Sequence, residues 1–322
     1  MGFREFRIAR DGTESIADSV QPCPENHQHL KEVIIYQFGD SCKLGLQFES
    51  GRRSINTSTI AISNEGGFAP PISEPHKAHD LLVRAMSDAG HEGRIKCAIY
   101  PASSEFFKSG NYDLGFKNSK ADSHAPKQLM HLYRTLLENC PTVLLENPFS
   151  ESDWASWTEF CEQCPVDFAG DDPLVTNRTY VREAHERMAC NSMLLKINQV
   201  DTISEAIESS FPVTSHHFEG TKFWQGNLAY SYGWSVFISH RSGETTDDFI
   251  ADLVVELRTG HIKSGAPCRG EHVAKYNRLL DIEELLGVQG EEVVYAGENF
   301  RSAYTLKPSL WNKINHTILS LC

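Results

Sequence analysis

The chain has 322 residues and a formal net charge of −13, with hydrophobic residues at 40% and charged residues at 23% of the total. The negative charge repels phosphate backbones and anionic lipid, which excludes nucleic acid and membrane surfaces as expected partners. No apolar run approaches the roughly 20 residues that a membrane-spanning helix needs, and no apolar signal segment stands at the start. We therefore expect a cytoplasmic protein. An anionic small substrate is still compatible, because a bound divalent cation reverses the local field.

From about residue 75 onward, short apolar runs alternate with amphipathic segments. In chain order the predicted strands are IKCAIY, TVLLE, VDFA, SMLLKI and SVFISH. The predicted helices are EPHKAHDLLVRAMSDAG, PKQLMHLYRTLLENC, NRTYVREAHERM, DDFIADLVVELRTG and EHVAKYNRLLDIEELLG. Short, fully apolar strands are typical of a sheet that is buried on both faces. The alternation predicts repeated βα units, and hence an α/β fold with a parallel sheet or barrel.

Three stretches depart from this rhythm. Residues from about 40 to 63 are polar and rich in Ser and Gly, and residues 211–227 are rich in aromatic residues and His. We interpret both as insertions. The residues after Phe300 fit no barrel element. We therefore expect a barrel domain over residues 1–300, followed by an extra C-terminal tail at 301–322.

Ionisable residues stand at the ends of several predicted strands. Glu146, Asp171 and Lys196 each close an apolar run at steps of 25 residues, about the length of one βα unit. His240 and Lys263 close later runs. Because the carboxyl ends of barrel strands meet at one rim, we expect these five side chains to lie together. For any single one of them, a solvated loop residue is the alternative, but a charge at the end of a buried strand is costly unless it is paired or binds a metal.

This set of residue types indicates a particular chemistry. Two carboxylates suit a hard cation such as Mg²⁺, and a lysine beside that cation has its ammonium form disfavoured, so that it can act as a general base. The combination predicts abstraction of a proton next to a carboxylate. Arg241 and Lys263 at the same rim suit a phosphate, although either one alone could pair with a surface carboxylate.

Several segments resemble the signature segments of the enolases. They are SNEGGFAP, SSEFFKSGNYDL, ENPF, GDDPLVTN, MLLKINQ, SHRSGETTDDFIADLVV and IKSGAPCRGEHVAKYNRLLDIEELLG. The resemblance covers roughly residues 64–210 and 228–300, and more weakly the beginning. It implies an enolase-type (β/α) TIM-like barrel, which we expect to be incomplete at its start and to lack the N-terminal capping domain.

The implied activity is that of phosphopyruvate hydratase, a magnesium-dependent carbon–oxygen lyase of glycolysis that dehydrates 2-phosphoglycerate to phosphoenolpyruvate. By matching motif positions, Lys196 resembles the base that takes the α-proton, and Glu65 with Glu5 resembles the acid pair that helps hydroxide leave. The substrate and phosphate contacts implied by the resemblance are His240, Arg241, Ser242 and Lys263. Two metal ligands are implied in the same way, Glu146 and Asp171. The family also implies a homodimer.

One position departs from the family's metal site. The third family ligand is a carboxylate, and its place here is taken by Tyr100, at the end of IKCAIY. A phenol with a pKa of about 10 is neutral at pH 7, so the site loses a negative charge that Mg²⁺ binding needs. We expect either a lyase with impaired activity or a catalytically inactive enolase-like binding or scaffold protein. An acid-sugar enzyme of the same superfamily is a third alternative, which SHRSGET and SGAPCRGE disfavour.

Overall fold

The structure is a computed structural model that describes residues 2–10, 13–39, 48–49, 52–53, 62–117, 120–210, 228–290 and 293–305. The insertion predicted at 211–227 lies outside the described residues. So do most of the insertion predicted at 40–63 and all of the predicted tail beyond residue 305.

Twelve strands are present in the described ranges. In chain order they are β1 (Glu5–Arg10), β2 (Phe48–Glu49), β3 (Arg52–Arg53), β4 (Ile95–Tyr100), β5 (Phe107–Lys108), β6 (Asn111–Asp113), β7 (Ser123–His124), β8 (Thr142–Glu146), β9 (Asp167–Gly170), β10 (Ser192–Leu195), β11 (Ser235–Ser239) and β12 (Ile262–Lys263). Each strand predicted from the sequence is present, with ends that agree to within two residues.

Ten α-helices accompany them among the described residues. They are α1 (Ile16–Val20), α2 (Pro22–Phe38), α3 (Pro75–Asp88), α4 (Pro126–Asn139), α5 (Trp154–Cys161), α6 (Arg178–Glu186), α7 (Ile203–Ser210), α8 (Leu228–Ser231), α9 (Phe249–Leu257) and α10 (Gly270–Val288), with 3₁₀ helices at Ser103–Phe106 and Gly297–Thr305. All five predicted helices are present. Helix α9 ends before the predicted Gly260, because Arg258 already takes a left-handed conformation with φ of 53°.

The central sheet has seven strands in the order β1-β4-β8-β9-β10-β11-β12. Strand β1 is antiparallel to β4, and every later pair is parallel. The sheet is curled into a half-barrel, and within the described residues its edge strands β1 and β12 are not hydrogen-bonded to each other. The predicted fold class, an α/β barrel with an incomplete sheet, is confirmed.

The core lies between the curled sheet and its outer helices. Helix α4 starts at a proline, which suits the first helical turn, and presents the fully buried Tyr133 to the sheet. Tyr133 packs edge-to-face against Phe149 and Phe160, and Trp157 packs in the same way against Phe149 and Phe168. This aromatic packing holds α4 and α5 against β8 and β9, so that the carboxyl ends of those strands are fixed in position.

Within the residues that the structure describes, none of the helices has both the length and the apolar character that crossing a bilayer requires.

Candidate active site

The five predicted rim residues stand at the carboxyl ends of the central strands. Glu146 ends β8 and Lys263 ends β12, while Asp171, Lys196 and His240 directly follow β9, β10 and β11. Four of the five side chains are almost fully buried, and that of Lys196 is 14% exposed. Charged groups at such depth need partners, and the structure supplies them in three neighbouring clusters.

The first cluster surrounds Glu146, which is 0% exposed. Its Oε2 accepts a hydrogen bond from the Arg7 guanidinium on β1, and its Oε1 lies 3.0 Å from the Lys263 Nζ. Lys263 also lies 3.6 Å from a carboxylate oxygen of Glu5. Burial raises the pKa of Glu146, but the charges of Arg7, Lys263 and Lys196 outweigh burial and lower the pKa to about 2. Glu146 is therefore held as a carboxylate between two cations.

The second cluster surrounds Asp171. One of its carboxylate oxygens accepts a hydrogen bond from Lys196 Nζ, and the other accepts one from Gln199 Nε2 at 3.0 Å. The neighbouring Asp172 is also near these acids. Burial, together with the negative charges of Asp171 and Glu146, raises the pKa of Asp172 to about 6. The predicted base Lys196 and the predicted ligand Asp171 thus form a direct ion pair.

The third cluster depends on a loop that carries Glu65. Gly66 has φ of +79°, and the Ala266 amide donates a hydrogen bond to the Glu65 carbonyl at 2.8 Å. A Cβ on Gly265 would lie 3.0 Å from the same carbonyl and 2.8 Å from His272. The loop after β12 can approach the Glu65 loop this closely because residue 265 is a glycine and has no side chain. This contact presents the Glu65 side chain to the rim.

Glu65 contacts both His240 and Ser242. His240 Nδ1 donates to the Lys263 carbonyl at 2.7 Å, while Nε2 is hydrogen-bonded to Glu65 Oε2. A carbonyl oxygen only accepts, so Nδ1 carries a hydrogen, and one further proton is shared between Nε2 and the Glu65 carboxylate. Ser242 Oγ donates to the other Glu65 oxygen at 2.6 Å. Burial alone would raise the pKa of Glu65. The hydrogen bond and charge of His240, together with the hydrogen bond from Ser242, outweigh burial and hold the pKa of Glu65 well below its usual range.

Tyr100 lies among the cations of the first cluster. It ends β4, is 8% exposed, and its ring centroid lies 4.4 Å from the Lys263 Nζ and 5.7 Å from the Arg7 Cζ. Burial, reinforced by the charge of Glu146 and its neighbouring acids, raises the pKa of Tyr100 above its ordinary value. The phenol is therefore neutral, and its ring face packs against positive charge.

A cavity of about 370 Å³ opens beside these clusters, between β1 and the loop that follows β12. Glu5, Glu65, His240 and Lys263 line one side of it, and apolar side chains of α2 and α3 line the other. The hydrogen-bonded pair of His240 and Glu65 therefore borders this cavity.

Most residues predicted from the sequence meet at this rim. Arg241 does not, and two residues of the clusters, Arg7 and Gln199, had not been predicted. Arg241 is exposed and donates to Asn198 Oδ1 at 3.0 Å, so it stands outside the three clusters. Neither Arg7 nor Gln199 was among the site residues predicted from the sequence. Arg7 follows Glu5 by two residues in a strand, and this spacing, which puts both side chains on one face, was the available signal.

The predicted magnesium site does not fit the side chains that are present. Across the described ranges, no group of three or more His, Cys, Asp or Glu side chains is arranged to hold a metal ion. The two expected carboxylates, Glu146 and Asp171, already accept hydrogen bonds on both oxygens from side-chain donors of this chain. The third position, Tyr100, supplies a neutral phenol. Mg²⁺ requires oxygen ligands with near-octahedral geometry, which this donor set does not offer.

A curled α/β sheet with acids, lysines and a histidine at the carboxyl ends of its strands is the architecture of a barrel enzyme. Residues 1–304 match the family described as enolase, C-terminal TIM barrel domain. The match spans nearly the whole chain, and the protein belongs to this family. Membership indicates a lyase-type enzyme of the enolase superfamily with small-molecule substrates; members of the superfamily typically use Mg²⁺.

Proposed function

We propose that this chain is a lyase that dehydrates 2-phosphoglycerate to phosphoenolpyruvate. The observation that carries the proposal is the presence of a base and an acid at one barrel rim. Asp171 holds Lys196 at the end of β10. The His240–Glu65 pair shares one proton and lines the cavity of about 370 Å³, whose lining does not include Lys196. Proton removal at one carbon and proton donation to a leaving hydroxyl at the next need these two groups together.

The steps follow from the positions of these groups. Lys196 first passes one ammonium proton to Asp171, to which it is hydrogen-bonded, and then takes the proton from C2. The electron pair of that C–H bond forms the new double bond to C3. The C3–O bond breaks with its own electron pair, and the departing oxygen takes the proton shared by His240 and Glu65 and leaves as water. Lys263 holds the substrate carboxylate, and Arg241 with Ser242 contacts the phosphate. Glu5, 3.6 Å from the Lys263 Nζ, orients that ammonium.

Magnesium, glycolysis, a cytoplasmic location and a homodimer are further implications of the family. The donor set does not fit Mg²⁺, so the steps above are assigned to side chains alone. Conversion of 2-phosphoglycerate by the full chain would support a place in glycolysis. The dimer is tested directly by sedimentation of the purified full chain at several concentrations.

A second function, that of a catalytically inactive binding or scaffold protein, is favoured by one observation. The guanidinium of Arg7 pairs with Glu146, and the neutral Tyr100 stands beside it. Such an ion pair stabilises the folded barrel but does not help to remove a proton from a substrate carbon.

The two functions are separated by measurements on the full chain with 2-phosphoglycerate. Phosphoenolpyruvate formation is followed by ultraviolet absorbance, and exchange of the C2 proton is followed by NMR in deuterated water, each with and without Mg²⁺. We expect Lys196→Ala to lower both rates by roughly 10²–10⁴-fold. Lys77→Ala, at a half-exposed lysine on α3, is the matched control and should leave both unchanged. Absence of turnover and of exchange in the wild type would contradict the lyase and support the inactive binding protein.

A further inference from the structure

One residue of the rim, Arg7, makes contacts that the lyase steps do not use. Arg7 lies on β1, where it pairs with Ala98 of β4, two residues before Tyr100. Its side chain is 12% exposed, and its Nη2 donates to the fully buried Glu146. A guanidinium is always charged and is weakly hydrated, which makes it the cation best suited to a buried carboxylate.

Lys263 completes the environment of Glu146 from the opposite edge of the sheet. Its Nζ lies 3.0 Å from Oε1, while Arg7 contacts Oε2. Each oxygen of the carboxylate therefore accepts from a separate fixed cation. A divalent cation that approached Glu146 would meet two positive charges and would have to displace at least one of them.

The remaining family ligand positions are occupied in the same way. Asp171 accepts from Lys196 on one oxygen and from Gln199 at 3.0 Å on the other. Tyr100 contributes a ring that faces Arg7 and Lys263 in place of a third anion. The negative charge that would attract a metal is thus already balanced by this chain's own side chains.

We infer that Arg7 serves as a built-in cation at the position where the family holds its metal, so that this chain does not take up a divalent cation at the Glu146–Asp171 rim. The inference concerns the site of the proposed function, but it is independent of turnover because metal binding is measured without substrate.

The test uses the purified full chain and Mn²⁺ as a spectroscopic probe. Protein-bound Mn²⁺ loses the sharp electron paramagnetic resonance signal of the free ion, so titration reports binding, and calorimetry with Mg²⁺ gives a second measure. We expect the wild type to show no saturable site at millimolar Mn²⁺. The double variant Arg7→Met/Tyr100→Asp should gain one saturable site, and Arg7→Met alone should show Mn²⁺ binding in the concentration range where the wild type shows none.

The matched control is Arg84→Met. Arg84 lies on α3, is 48% exposed and pairs with Asp88, so its loss should not change metal binding. Saturable binding of Mn²⁺ by the wild type at or below millimolar concentration would overturn the inference. So would equal binding by Arg7→Met and Arg84→Met, because Arg7 would then not be the group that excludes the metal.

Circular dichroism verifies that each variant folds. If Arg7→Met does not fold, Arg7→Gln is the second variant, because it keeps a hydrogen-bond donor without the charge. Arg7→Gln should bind Mn²⁺ more tightly than the wild type, and binding no tighter than that of the wild type would contradict the inference.

Discussion

Glu65 and His240 share a hydrogen bond although they lie 175 residues apart in the sequence. One stands on a loop ahead of α3, and the other follows β11. Because His240 Nδ1 is committed to the Lys263 carbonyl, the proton between Nε2 and Glu65 is the only one that the pair can pass to a ligand. We therefore expect the two side chains to act as one acid.

Replacing Glu65 by Gln should remove this acid while preserving the size of the side chain. The amide cannot share the proton, so we expect the rate of phosphoenolpyruvate formation to fall by roughly 10²–10⁴-fold. Exchange of the C2 proton, which depends on Lys196, should fall much less. The exposed Glu159→Gln is the control. Equal loss of turnover and exchange in Glu65→Gln would show that Glu65 does not act at the leaving oxygen.

Glu146 should make stability depend on pH in the acidic range. Its pKa is lowered from 4.5 to about 2 in the folded protein, so its stabilising contribution is fully present above about pH 4.5 and is lost as the pH falls towards 2. The loss is on the order of a few kcal/mol. Urea denaturation at several pH values measures it.

Glu146→Gln should be less stable than the wild type at neutral pH, since Arg7 and Lys263 lose their anion, and its stability should fall less steeply below pH 4.5. Part of the decrease in stability with falling pH should persist, because Glu65 also has a lowered pKa. Glu159→Gln should keep the wild-type slope. A slope in Glu146→Gln as steep as that of the wild type would disprove the assignment.

Gly265→Ala should disturb the site more than an ordinary glycine substitution. Gly265 has φ of +85°, and a Cβ there would lie 2.8 Å from His272 and 3.0 Å from the Glu65 carbonyl, so the Glu65 loop must move. Gly233 is the matched control, with φ of +76° and no atom within 4 Å of an added Cβ. Gly233→Ala should cost about 1 kcal/mol in the free energy of unfolding, and Gly265→Ala more. Only Gly265→Ala should lower phosphoenolpyruvate formation; equal effects of the two changes would contradict this.

Trp157→Ala should strongly destabilise the barrel. The ring is fully buried, packs against Phe149 and Phe168, and donates from Nε1 to the Ser150 carbonyl at 2.9 Å. Its loss leaves a cavity and removes one of the two hydrogen bonds to the Ser150 carbonyl, which also accepts from the Asp153 amide. We expect a decrease of about 3–5 kcal/mol in the free energy of unfolding by urea. Tyr180→Ala, at a ring that is 45% exposed, should change stability by less than about 1 kcal/mol. A similar small change for Trp157→Ala would show that this packing does not support β8 and β9.

The sequence by itself determined the βα alternation and the ends of the strands. Apolar runs such as TVLLE and SVFISH are local signals, and the residue that closes each run can be read directly. Since parallel strands end at one rim, the positions of Glu146, Asp171, Lys196, His240 and Lys263 followed from local pattern together with one topological rule.

Only the tertiary structure decided which of these charges neutralise one another. Arg7 lies far from Glu146 in sequence, on the antiparallel edge strand β1, and the curl of the sheet brings the two together. Local pattern cannot reveal this, because the energy of a buried charge depends on the distance to its partners and on their desolvation. The expected magnesium ligands are therefore bound to the chain's own cations, a result that depends on the path of the whole sheet.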